Sequence, residues 1–297
     1  MSSLPYFGEL LALITAVVWA VAVILFKKSG ESVHPIALNL FKNVLAAALV
    51  VPTLYLVGGS LWRPVSAGDY LILLVSGILG IGIADTFFFM SLNILGAGLS
   101  AIVDCLYSPF VIALSVMFLG ESLSLLQVLG VLMIISAVLG VTSGKWVVDI
   151  PRHDLLRGTF WAVAALLLMA AGIVMAKPVL ERSPLAWAME WRLIGGILAL
   201  LVVMLFRRDR RAIISTLMGT RHWGYVLGGS WFGAYAAMFL WLGGMKYTQA
   251  STASALNQTS NIFIFVLAAL LLREPITLVR TVGIVLGVAG AYLVTFG

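Results

Sequence analysis

Residues 108–141 read SPFVIALSVMFLGESLSLLQVLGVLMIISAVLGV, and 153 residues later, at 261–294, the chain reads NIFIFVLAALLLREPITLVRTVGIVLGVAGAYLV. Each stretch is two apolar runs joined at an acidic residue, Glu121 in the first and Glu274 in the second. The same offset pairs Ala97 with Ala250, Asp104 with Asn257, Phe110 with Phe263, Gly130 with Gly283 and Thr142 with Thr295. Nearer the start, an offset of 150 pairs Gly8 with Gly158, Lys27 with Lys177 and Lys42 with Arg192. The sequence is therefore written twice, and internal repetition decides architecture more firmly than any single motif.

The solvent of each copy follows from composition. Of 297 residues, 62% are hydrophobic and 10% charged, against about 25% charged in a soluble domain. The mean hydropathy is +1.11. Apolar runs of about 20 residues span a bilayer as helices, and ten are present, near 7–26, 35–57, 70–92, 96–118, 123–143, 157–176, 186–206, 223–245, 251–271 and 277–296. The runs are continuous and not alternating, which selects helices over a barrel. The expected fold is an all-α polytopic membrane protein of ten transmembrane helices, with repeats at 1–143 and 157–297 joined by a loop at 144–156. Five spans is an odd number, so the second copy is expected to enter from the opposite side, as an inverted repeat. The start lacks a basic n-region and reads as a retained first span. Cys105 is the only cysteine, which leaves no disulfide framework and no cysteine-based metal site.

The paired pattern, with its acidic residue closing the fourth apolar run of each half, resembles the EamA family of the drug/metabolite transporter superfamily over essentially the whole chain. The resemblance implies a secondary transporter that exports small metabolites, such as amino acids and related organic solutes, or drugs, by alternating access. It also implies that Glu121 and Glu274 are structural hallmarks, whose expected role is capping the start of the helix that follows each. The expected location is the inner (plasma) membrane of a bacterium. The partners are a small-molecule substrate and membrane lipid, with no nucleic acid and no cofactor, and a monomer is favoured over a homodimer. One departure stands out: Pro109 is matched by Ile262, so a kink is expected in one half only.

Charges within apolar spans are the sharpest functional signal, since each costs about 2.5 to 3.5 kcal/mol at a helix centre. Five qualify: Lys42, Asp85, Asp104, Glu190 and Arg192. Lys42 and Arg192 lie near helix starts and admit a role as fixed ion pairs. Glu190 and Arg192 are two apart and point to different faces. Asp85 and Asp104 lie deepest, and a proton-coupled carrier needs such a carboxylate poised between environments. The run SALNQTSNIF, residues 254–263, places Asn257, Gln258 and Asn261 where the first half has Asp104 and Tyr107. Consecutive polar residues point all around a helix, so some are expected to line a cavity instead of bonding a neighbouring helix. These nine residues form the candidate substrate and proton pathway. Trp19, Trp161, Trp187, Trp191, Trp231, Tyr235 and Trp241 are expected to face lipid or the interface for the most part.

Other classes fit less well. His34, His153 and His222 all fall in loops, so no nucleophile has a base at membrane depth and no metal or haem ligands are set there. An ATP-binding Gly-Lys loop is also missing, and a channel remains the nearest competing reading. Two arguments about orientation disagree. The resemblance implies cytoplasmic termini, yet the loops that would then be inside hold Arg63, Lys177, Arg182 and Lys246. The opposite set holds Lys27, Lys28, Lys145, Arg152, Arg157, Arg207, Arg208, Arg210, Arg211, Arg221 and Arg273, and cytoplasmic loops carry the excess of Lys and Arg. The charge count therefore puts the termini outside.

Overall fold

The computed structural model describes residues 6–120, 124–142 and 150–296. All regular structure among them is helical. In chain order the helices are α1 (Phe7–Gly30), α2 (Pro35–Leu56), α3 (Ala67–Leu95), α4 (Ala97–Asp104), α5 (Tyr107–Leu119), α6 (Leu125–Thr142) and α7 (Arg152–Glu181). They continue with α8 (Leu185–Phe206), α9 (Arg210–Met218), α10 (Trp223–Tyr247), α11 (Ala250–Asn257), α12 (Ser260–Leu272) and α13 (Leu278–Phe296). Among the described residues seven helical stretches are long and apolar enough to cross a membrane, one of them the α4–α5 pair over Ala97–Phe118, and three shorter apolar helices accompany them. The protein is an integral membrane protein.

The helices begin where local chemistry allows. His34 caps α2, its Nδ1 accepting from the Ile36 amide at 3.2 Å, with Pro35 in the first turn, where its missing N–H is harmless. Ser66 caps α3 through the Gly68 amide at 3.0 Å.

Packing pairs each half with the other. α3 lies against α7 in the most extensive contact, α1 lies against α10, α2 meets α8, and α6 meets α13. Glycines permit the closest approaches. A Cβ on Gly77 would stand 1.9 Å from the Arg192 carbonyl oxygen, and one on Gly195 2.2 Å from that of Leu74, so the α3 and α8 backbones touch. Gly229 and Gly233 receive the Phe26 ring, and Gly287 receives Cys105, all within one chain.

Contacts between connections group into two ends. At one, Ser32 Oγ meets Thr220 Oγ1 at 3.0 Å and the His34 amide donates to Thr216 Oγ1. Lys27 Nζ there donates to the Asn93 carbonyl at 3.2 Å. At the other, Glu9 accepts from Thr248, Arg182 pairs with Asp69, and Lys246 donates to the Ser183 carbonyl.

Four interruptions depart from the sequence expectation of unbroken spans. The fourth apolar run is two helices, α4 and α5, parted at Cys105 and Leu106, and the ninth is α11 and α12, parted at Gln258 and Thr259. The breaks are 153 residues apart, so the one-sided kink expected at Pro109 does not occur: both copies break, one without a proline. Pro109 sits in the first turn of α5, where no intrahelical N–H partner is lost. α3 and α10 each contain a π-helical segment, Ile78–Ile83 and Ser230–Ala237. Such wide turns free backbone carbonyls and concentrate at functional sites.

Other expectations are also corrected. Trp187 and Trp191 are buried and donate their ring N–H groups to the Leu61 carbonyl at 3.0 and 3.2 Å. Of the seven aromatics expected at the lipid surface, only Trp231 is exposed. Glu274 does not cap the helix that follows it. Its carboxylate accepts from the amides of Ala97 at 2.7 Å and Gly98 at 2.9 Å, capping α4 in the other half. Gly96, at φ 79°, and Gly98 leave room for it, since a Cβ on either would stand under 3 Å from its oxygens. Glu121 lies outside the described residues.

Candidate functional site

The four interruptions surround one cavity, with about 670 Å³ of empty space including its mouth. α3 contributes Gly80 and Asp85, α4 and α5 contribute Asp104 and Tyr107, α8 contributes Arg192, and α11 contributes Asn257. Trp19, Met169, Met238 and Trp241 supply apolar wall.

Asp85 does not stand alone. Lys42 Nζ donates to its Oδ2 at 2.6 Å and to Asn43 Oδ1 at 2.9 Å. Asn43 donates to Asn39 Oδ1, and Asn39 Nδ2 contacts the carbonyls of Ile81 and Gly82, both at 3.0 Å, and Thr86 Oγ1 at 2.9 Å. This chain ties the wide turn of α3 to α2 and satisfies carbonyls that the turn frees, as a low-dielectric interior demands. The network is buried and charge-neutral.

Arg192 is different. Its Nε donates to Ser76 Oγ at 2.9 Å, and Ser76 in turn donates to the Gly172 carbonyl at 2.6 Å. The guanidinium lies 5.5 Å from the Trp241 ring centroid, a cation–π distance. Its Nη1 is buried with no hydrogen-bond partner, and no carboxylate lies within 4.0 Å among the described residues. Lys42 and Arg192 therefore occupy equivalent places in the two halves and do different work: one is neutralised in place, the other is not.

Asp104, half-buried at the break between α4 and α5, faces the Asn261 side chain and has no ion-pair partner among the described residues. Asn261 Nδ2 also donates to Gln258 Oε1 at 2.5 Å and approaches Cys105 Sγ at 3.4 Å. Gln258 and Asn261 thus join the break of one half to the break of the other, and Asn257 alone of the three lines the cavity, its Oδ1 unpartnered. Glu190 is buried, with Oε2 unpartnered, and is not among the cavity-lining residues.

Of the nine candidate pathway residues, Asp85, Asp104, Tyr107, Arg192 and Asn257 line the cavity. Lys42, Gln258 and Asn261 support it from behind, and Glu190 stands apart. Sequence reasoning missed Asn39, Asn43, Ser76 and Thr86. Asn39 and Asn43 had a usable signal, since they lie four apart on one helix face within an apolar span.

The sequence matches the EamA-like transporter family over residues 6–143 and again over 156–296. The chain belongs to the EamA-like transporter family. Like this EamA protein, an uncharacterized transporter of Methanothermobacter thermautotrophicus (strain ATCC 29096 / DSM 1053 / JCM 10044 / NBRC 100330 / Delta H) covers the repeats, being 25% identical over 95% of this chain and 84% of its own. A solved structure titled only "Crystal structure of protein" superposes with a TM-score of 0.73 at 20% identity, covering 97% of this chain and 96% of the other. It supports the fold alone. The EamA assignment and the apolar helices make this chain a membrane transporter.

Proposed function

We propose that this protein is a secondary active exporter of small metabolites or drugs, with ten membrane-spanning helices arranged as two inverted five-helix repeats. Three observations support the inversion: the family match falls twice, the contacts exchange under swapping of halves, and the two repeats start at opposite ends, Glu9 meeting Thr248 while Gly158 packs on Leu95. Interrupted helices around a central site are how transporters of this kind bind cargo.

The observation that carries the reading is the cavity itself. It holds charged groups, Arg192 and Asp104, that the described protein leaves without ion partners, at a depth where such groups are costly unless used. Proton coupling runs through Asp104 in this reading, because Asp85 is already held by Lys42. The test is flux in proteoliposomes across a metabolite panel, with and without a pH gradient. Asp104→Asn should abolish the gradient-driven component while Asp85→Asn alters mainly stability. Gradient-driven flux that survives in Asp104→Asn removes Asp104 from the coupling.

A further inference from the structure

Resting on the transport reading above, we infer that Arg192 is the anchor for a carboxylate on the substrate, so that the cavity selects carboxylate-bearing solutes with an apolar body. Five donors in a rigid fork make a guanidinium the natural partner of a carboxylate, which it grips with two parallel hydrogen bonds. Within the described protein Arg192 spends one donor on Ser76 and lays one face near Trp241, while Nη1 makes no bond although the side chain is 2% exposed. The group is held in place by fixed contacts and lacks only its counter-charge. Asp85, the nearest acid that acts on it, lies beyond ion-pair distance and already holds Lys42 at 2.6 Å, so its single charge is shared.

The surroundings shape what the anion is. Gly80 lies beside the guanidinium within the wide turn of α3, where even a Cβ would stand 3.4 Å from Nη2, an ordinary contact distance. Asp104 lines the same cavity and, when ionised, disfavours a dianion, and among the described residues no second Lys or Arg lines it. A phosphomonoester would carry more charge than one guanidinium balances. A monocarboxylate matches it, and Trp19, Met169, Met238 and Trp241 take the apolar remainder. Asn257 Oδ1, buried and unpartnered, offers an acceptor for a donor on the same solute.

The test uses the full chain in lipid nanodiscs and reads tryptophan fluorescence, since Trp19 and Trp241 line the cavity. The probes are 3-phenylpropanoate, hexanoate and L-phenylalanine, each against the amide of the same skeleton, with inorganic phosphate and chloride as further anions. Carboxylates should bind roughly tenfold or more tighter than their amides, the value of a charge-assisted hydrogen bond. Arg192→Gln should erase that preference, and Arg192→Lys, which keeps the charge but not the fork, should retain part of it. If the Gln variant does not fold, the acid-to-amide ratio in the unaltered protein still decides. The anchor is overturned if no carboxylate of the panel binds, if amides bind equally, if phosphate or chloride binds better, or if a folded Arg192→Gln keeps the ratio. Arg192-dependent carboxylate binding without flux in proteoliposomes would instead overturn the transport reading and leave the anchor standing. Flux of amides or amines untouched by Arg192→Gln would do the reverse.

Discussion

Asp85 and Asp104 look alike along the chain, both being lone acids in apolar runs, yet only Asp85 meets a cation, 43 residues away on another helix. A buried pair is costly to break because the remaining charge is left without compensation. Lys42→Met should therefore cost about 3–5 kcal/mol of stability, as one partner's removal does elsewhere. Adding Asp85→Leu should recover most of it. Denaturant titration of the single and double variants in detergent checks this, and two losses that simply add would show that the pair is not a unit. Which residues bear charge was legible in the sequence. Which of them lack an ion partner was not, because pairing depends on distances between helices that no spacing along one helix reports.

The helix ends carry two further expectations. Glu274 bridges the halves by capping α4 through two amides. Glu274→Ala strands both donors and should cost about 1–2 kcal/mol. Glu274→Gln should cost less, since its one amide oxygen still accepts from one of the two amides, although both variants forgo the charge that faces Arg280 at 3.7 Å; a Gln variant less stable than the Ala variant would remove the capping account. His34 caps α2 through an unprotonated Nδ1, and burial first, then Arg207, hold its pKa below the usual histidine value, with Asp209 opposing. The folded state thus favours neutral imidazole. Its contribution is present above the unfolded pKa of about 6.5 and is lost as the pH falls through the lower folded value. His34→Ala should cost about 1 kcal/mol at pH 8 and little at acid pH, and a pH-independent loss would count against the cap. The caps in cis, at His34 and Ser66, follow from local residue order. The cap at α4 comes from 177 residues away, and Asn261, which donates to Gln258 at the second break, reaches Cys105 at the first from 156 residues away. Neither leaves a periodic trace.

For the assembled protein the open question of sidedness becomes sharper once the folded positions are known. Lys27 and Lys177, one from each competing set of charges, turn onto backbone carbonyls, of Asn93 and of Met245 and Thr248, and so tell little about the loops. Arg207, Arg208, Arg210, Arg211 and Arg221 are all exposed, on and around α9 at one end. That end is expected to face the cytoplasm, with the termini outside. A fusion at Gly297 should show phosphatase activity and no cytoplasmic fluorescence, and the opposite pattern would overturn the charge argument. The solvent, the all-helical class, the duplication and the acidic junction of each copy were legible along the chain, because hydropathy and self-similarity are properties read in one dimension. Where helices break and widen emerged from the folded arrangement alone. An interrupted backbone survives in a bilayer only when other helices satisfy its freed groups, as Asn39 does for Ile81 and Gly82, and such partners are contiguous in space and not in sequence.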